Sequence, residues 1–317
     1  MKAMTLAIED IQRARQVIRG AAIRTPLVQL NVSDAPARIH LKLENLQPIG
    51  SFKIRGAANA MSSMSREELA RGVLTASAGN MAQGVAWNAQ RLSIPCTVIA
   101  PDTAPETKVR AVERLGGRVI KVPFDRWWQT FTDRSYPGVE GAFVHPFDDD
   151  RVMAGNGTIG MEILEDLPEV DTVLIPWGGG GLACGIATAL RALKPSVRIY
   201  GVEASTAAPL SASLQAGRVE VVNYTPSFVD GIGSRTVLPR MFELARELLD
   251  GAKTASLESI AHAIRVLAER NHVIAEGAGA CSLAVALSGA AGGGTIACVI
   301  SGGNLDAGKL ARILEGA

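Results

Sequence analysis

Apolar and polar residues alternate along RIHLKLENL, residues 38–46, where Ile39, Leu41 and Leu43 interleave with His40, Lys42 and Glu44. A period of two predicts a strand with one buried face. The N-terminal stretch MKAMTLAIEDIQRARQ repeats at helical spacing, with Ile8, Ile11, Ala14 and then Ile18 on one face. From Gly72 the two periods take turns. GVLTAS reads as strand, NMAQGVAWNAQRL as helix, CTVIAP as strand, ETKVRAVERLGG as helix and RVIKV as strand. Beyond the turn-rich DRSYPG stretch and FVHPFDDD, residues 152–167 predict a helix, TVLIPW a strand, GIATALRAL a helix and RIYGVEA a strand. Helices around SIAHAIRVLAER and CSLAVAL precede a last strand, TIACVI, which enters SGGN. Strands separated by helices imply parallel sheets with right-handed crossovers. The expected fold is α/β, with two open twisted parallel-sheet domains and a site in the cleft between them. Residues 1–47 with 146–317 are expected to form the larger domain, and 48–145 the smaller.

Composition narrows the function. With 317 residues, 47% of them hydrophobic, the chain can bury substantial cores. Thirty-two basic residues against 31 acidic ones leave a formal charge of +1, without a long run of either sign. Nothing in this balance attracts nucleic acid or an anionic membrane, and small-molecule chemistry is expected. Cys96, Cys184, Cys281 and Cys298 are scattered in apolar contexts without C-x-x-C spacing, as reduced thiols of a cytoplasmic protein are. Glu9 and Asp10 fall where a signal peptide needs its apolar core, so export is not expected. The uncharged stretches 172–190 and 277–305 each break into strand, glycine cluster and Ala-rich helix, which fits a buried α/β core better than a membrane span.

VLIPWGGGGLACGIATAL carries a strand through Gly178, Gly179, Gly180 and Gly181 into a helix. Consecutive glycines let backbone approach a ligand, and the free N–H groups of a helix start suit a phosphate. No Gly-Lys-Ser/Thr follows, which argues against a P-loop. Two readings stay open on this segment alone. Gly178, Gly180 and Ala183 satisfy G-x-G-x-x-A, with Glu203 near the place of a ribose-binding acid, as in a nicotinamide or flavin dinucleotide fold; the other reading is a smaller phosphate ligand.

NLQPIGSFKIRGAANAM sets Lys53 between Phe52 and Ile54. A dehydrogenase needs neither this lysine nor the further turns SAGN, residues 77–80, and SGGN, residues 301–304. Loops at the carboxyl ends of parallel strands converge on one crevice, and a lysine with apolar neighbours has a depressed pKa and a nucleophilic amine. Together they suit a carbonyl cofactor held as a Schiff base.

Over essentially the whole chain the sequence resembles the fold-type II pyridoxal-phosphate enzymes, which share the tryptophan synthase β-like architecture, and within them the serine/threonine dehydratase and serine racemase group. The matching stretches are TPL (25–27), LKLENLQPIGSFKIRGA, SAGN-x-AQG, GGGGL, GVEA, DGI (230–232) and SGGN. The resemblance implies pyridoxal 5'-phosphate bound to Lys53, which also shuttles the substrate Cα proton. Phe52 would lie against the pyridine ring, Asn80 would bond the ring hydroxyl, and Ser301 would face the ring nitrogen. Gly178, Gly179, Gly180, Gly181 and Leu182 would enclose the phosphate. Ser77, Ala78, Gly79, Asn80 and Met81 would form the substrate loop, its N–H groups receiving a carboxylate. The implied reaction is the dehydration and deamination of a β-hydroxy-α-amino acid to a 2-oxo acid and ammonia, with a homodimer as the family's habit. A racemase or β-replacement enzyme on the same fold, and remotely an NAD-dependent oxidoreductase, are the alternatives.

The sequence departs from the family pattern at several points. Met81 replaces the usual histidine, which bears on the substrate more than on the reaction. Ala78 stands where racemases carry a serine, which favours elimination. Glu203 and Ala207 match the racemase cation site, but Pro209 takes the place of its second carboxylate, leaving Glu203 a weak candidate and no metal dependence expected. EGAGA keeps Glu276 but puts glycine where the family has proline. The short stretch after SGGN leads us to expect no regulatory domain. Phe124, Trp127, Trp128 and Phe131 form an aromatic cluster, expected as a hydrophobic plug or dimer contact and, in the sharper reading, as a pocket for a large side chain such as that of phenylserine.

Overall fold

The computed structural model describes residues 6–316. α1 (Ile8–Val17) buries Ile11 and Ala14, as its periodicity demands, and carries Glu9 and Asp10 in a first turn whose free N–H groups favour negative charge. β1 (Leu27–Gln29) and β2 (Arg38–Lys42) form an antiparallel pair. α2 (Lys53–Ser62) and the single turn α3 (Arg66–Ala70), started by a Ser65/Glu68 capping box, lead into the smaller sheet.

That sheet contains β3 (Val73–Ala76), β4 (Cys96–Pro101), β5 (Arg118–Val122) and β6 (Ala142–Phe143), in the order β5-β4-β3-β6 and all parallel. α4 (Asn80–Leu92), α5 (Glu106–Arg114) and α6 (Phe124–Asp133) connect its strands. Met61, Val85 and Val98 belong to the core between α2, α4 and this sheet, whereas Leu74, Ile99 and Val122 form a second core with Trp127.

α7 (Asp150–Asp166) returns the chain to the larger unit. There β7 (Thr172–Pro176), α8 (Gly181–Leu193), β8 (Arg198–Ala204), α9 (Pro209–Ala216), α10 (Pro239–Leu248), β9 (Gly251–Ala255), α11 (Leu257–Arg270), α12 (Gly277–Leu287), β10 (Thr295–Val299) and α13 (Ala307–Glu315) follow. The strand order is β1-β2-β10-β7-β8-β9, parallel except for the edge strand β1. Ile175, Ile186 and Phe242 are in one core of this unit, Leu174, Ile264 and Leu283 in the other. Among the described residues no helix is long and apolar enough to cross a membrane.

The pattern in 38–46 needs correcting. Lys42 and Glu44 are wholly buried rather than on a wet face. β2 lies inside the sheet between β1 and β10, and its polar side is closed by α7, whose Glu162 pairs with the Lys42 amine at 2.6 Å. β1, α3, α6, β6, α9, α10, β9 and α13 go beyond the expected elements. The signal for α6 was present, because aromatics at 124, 127, 128 and 131 have helical spacing.

Candidate active site

The segment before α2 is laced to the turn after β10. Phe52 N–H donates to the Ser301 carbonyl (3.0 Å), Gly303 N–H to that of Gly50 (2.8 Å), and Asn304 Nδ2 to that of Ile49 (2.9 Å). SFKIRG and SGGN, far apart in sequence, are therefore one structural piece, with Ser301 buried at its centre. α2 begins at Lys53 itself. The Lys53 amine donates to the Pro146 carbonyl at 2.7 Å and lies 5.1 Å from the centre of the Phe52 ring. Burial pushes its pKa down to about 8, while the nearby Glu276 pulls the other way. Such an amine is neutral, and nucleophilic, in a useful fraction near neutrality.

SAGN joins the same cleft. α4 starts with Asn80 and has Gly79 as its N-cap, so Asn80 is not serving as the capping side chain. Its Nδ2 donates to Glu276 Oε1 at 2.7 Å, and its Oδ1 accepts from Asn304 Nδ2 at 2.8 Å. Glu276, which sequence reading kept only as part of EGAGA, is thus a member of the site. Burial raises its carboxyl to about 7, opposed by the Asn80 bond and by Lys108 and Lys53, and aided by Asp230. Lys108 of α5 reaches Asp230 of the DGI triplet at 3.1 Å, and so ties the small sheet to the large unit beside this carboxyl. Gly79 N–H bonds Ser77 Oγ (3.3 Å), and the first-turn N–H groups of α4 have no partner within the helix. Met81 is buried in the small-sheet core with Ala57, Met61 and Val85, so its side chain contributes packing rather than the rim of a pocket. Ala78 is partly buried against Ala100 and Val109.

The glycine loop opposes these elements. Gly180, at φ +92°, has a left-handed conformation that glycine adopts without strain. A Cβ on Gly179 would come within 2.2 Å of the Phe147 ring, so the absence of side chains here is a packing requirement. α8 then starts at Gly181, with Leu182 in the core behind it. Phe147 is also 5.6 Å from Phe131, and His145 is 4.7 Å from Phe131. The aromatic cluster is continuous, because Trp127 and Trp128 lie 6.0 and 5.3 Å from Phe131. Trp127 is packed under α6, and the Phe131–His145–Phe147 group runs to the glycine loop and the carbonyl that holds Lys53. His145 Nδ1 accepts from the N–H groups of Phe147 (3.2 Å) and Asp148 (2.8 Å), and burial together with Arg134 lowers its pKa to about 4. It is a neutral brace for the turn.

Glu203 has a structural role in this fold. Its buried carboxylate accepts from the N–H groups of Leu210 and Ser211 and from Ser211 Oγ, at 2.7–2.8 Å, and so closes the start of α9. The dinucleotide reading loses its acid.

The residues present fit an aldehyde-bearing phosphate: a poorly solvated amine at Lys53, a glycine loop without side chains whose Gly179 is packed directly on the Phe147 ring, and a helix start behind it. The buried hydroxyl of Ser51, two residues before the lysine, also lacks a hydrogen-bond partner among the described residues.

The whole chain is similar to known proteins. An L-threonine ammonia-lyase of Thermotoga maritima is 42% identical over 315 residues, covering 98% of this chain and 78% of that protein. The processed form of threonine deaminase isoform 2 from Solanum lycopersicum superposes with a TM-score of 0.87 at 35% identity, covering 98% of this chain and 92% of that one. Maize serine racemase superposes with a TM-score of 0.91 at 30% identity over 99% and 98%. Residues 18–302 match the family described as pyridoxal-phosphate dependent enzyme. Lysine, glycine cradle and whole-chain likeness agree, and the chain belongs to the pyridoxal-phosphate dependent enzyme family, in its serine/threonine dehydratase group.

Proposed function

We propose that the protein is an ammonia-lyase that converts a β-hydroxy-α-amino acid of the threonine or serine type into a 2-oxo acid and ammonia. The observation that carries this reading is the Lys53 amine, half-desolvated beside the glycine cradle and one strand end from the SAGN turn. Pyridoxal phosphate, when bound, supplies a carbonyl for amines and an electron sink for the Cα carbanion. Lys53 would hold it, Gly178, Gly179, Gly180, Gly181 and Leu182 would surround the phosphate, and Phe52, Asn80 and Ser301 would border the ring. The N–H groups at 78–81 would take the substrate carboxylate, that of Ser77 being held by the Ile99 carbonyl (3.1 Å), and so fix Cα–H toward Lys53, whose amine accepts that proton. Asn80 is held in place by Glu276 and Asn304 and does not need to reorganise. Racemisation needs a second proton donor opposite Lys53, and Ala78 supplies none. Residues 48–145 would move as the smaller unit, in a cytoplasmic homodimer.

Incubation with L-threonine or L-serine, with the 2-oxo acid and ammonia measured together, tests the reading. Equal release of the two products supports elimination, and inversion of the amino acid without ammonia overturns it. The finer reading of the aromatic cluster, a bulky substrate side chain such as that of phenylserine, has its own test. A kcat/KM for phenylserine above those for threonine and serine is expected; a strong preference for serine rejects this finer point.

A further inference from the structure

We propose that Arg55 is a positioning residue for Lys53: through a buried, charge-balanced cluster it clamps the first turn of α2 to the large sheet. The inference rests on the reading of Lys53 given above. Arg55 Nε and Nη2 donate to the two oxygens of Glu44 (2.9 and 2.8 Å), and Nη1 and Nη2 to the two oxygens of Glu162 (2.7 and 2.9 Å). Thr158 Oγ1 and the Ile23 carbonyl accept as well. Lys42 completes the cluster, bonding Glu162 and the Thr25 carbonyl, each at 2.6 Å. Two cations meet two carboxylates, and Lys42, Glu44 and Arg55 are at most 1% exposed. Although burial opposes it, the two carboxylates raise the Arg55 pKa.

Stability alone does not explain such a cluster, because buried ion pairs are often no better than apolar packing of the same volume. A planar fork that takes two carboxylates fixes orientation instead. Its place in the helix gives that orientation a use. Phe52 is pinned to Ser301, and Arg55 is pinned to the turn after β2 and to α7, so Lys53 is bracketed on both sides. α7 comes so close that a Cβ on Gly155 would lie 2.4 Å from the Arg55 carbonyl. The first turn of α2 thus belongs mechanically with the glycine cradle, although it leads into the small sheet.

The test uses the full-length chain freed of cofactor. Acetylation of Lys53 by acetic anhydride is followed by peptide mass spectrometry against pH, with Lys121 as reference and the urea unfolding midpoint measured in parallel. Arg55→Lys keeps the charge and loses the fork. The amine then meets water, so its labelling midpoint should move up by about one pH unit, with acetylation at pH 8 about fivefold slower, toward an ordinary lysine. A folded variant with unchanged Lys53 labelling overturns the proposal, because a merely structural role lowers the unfolding midpoint and leaves labelling alone. Should Arg55→Lys not fold, Glu44→Gln is read in the same way. Borohydride fixation separates the two ideas. Cofactor fixed at another lysine removes the underlying reading, whereas fixation at Lys53 with unmoved labelling removes only the clamp.

Discussion

Lys42 and Lys53 both hold an amine away from bulk water, on two sides of one turn, and their surroundings give them opposite uses. Lys42 meets the Glu162 carboxylate inside a balanced cluster. Lys53 meets a carbonyl oxygen and the face of Phe52, and among the described residues no ion pair reaches it. A paired buried cation is fixed as a cation, whereas an unpaired one gives up its proton and becomes a base and nucleophile. The difference teaches that reactivity in this molecule follows from burial without a charged partner, not from burial alone.

The largest break in the comparison comes from deleting each amine. Lys53→Ala should lower kcat by at least about 10³-fold, consistent with loss of a positioned nucleophile and base, with the fold intact by circular dichroism. Lys42→Ala should do the reverse, lowering stability by about 3–5 kcal/mol in urea unfolding because Glu162 loses a partner, with turnover per folded molecule changed by less than about fivefold. If the two variants exchange these losses, the distinction fails. Next in size is the cradle. Gly179→Ala forces a methyl into the Phe147 ring, and a strain of about 1–3 kcal/mol should weaken cofactor binding by about 10- to 100-fold, measured by absorbance titration.

A smaller effect separates the groups by pH in the cofactor-free chain. Lys53 titrates at about 8 when folded and at 10.5 ordinarily, so the unfolded chain binds more protons between those values and stability rises with pH across them. Glu276 titrates at about 7 instead of 4.5; here the folded chain binds more protons, and stability falls as pH rises through that window. Urea midpoints from about pH 4 to 11 should show Lys53→Met losing the upper rise and Glu276→Gln losing the lower fall. Superimposable profiles for wild type and both variants would contradict the burial of these groups.

Much of the site was legible because its parts are short and local. SFKIRG, SAGN, GGGG and SGGN each sit where a strand end or helix start can be read from pattern alone. What stayed hidden depends on partners distant in sequence. Glu276 joins the site through Asn80, and a period of two in β2 cannot reveal that Lys42 and Glu44 face α7 rather than water. The role of Arg55 stayed hidden for the same reason, because its two carboxylates come from either side of it in the chain. Glu203 looked available because nothing local announces that α9 folds back onto it. Met81, marked by its departure from the family, turned out to be packed in the core, since the second residue of α4 lies on the helix face toward α2.

Borohydride reduction of the protein loaded with pyridoxal phosphate, followed by peptide mapping, tests the central claim most directly. The chain offers eight lysines. The account predicts one stable pyridoxyl label, on the peptide holding Lys53, and none on Lys42. A label on Lys42 or any other lysine, with Lys53 unmodified, would contradict it.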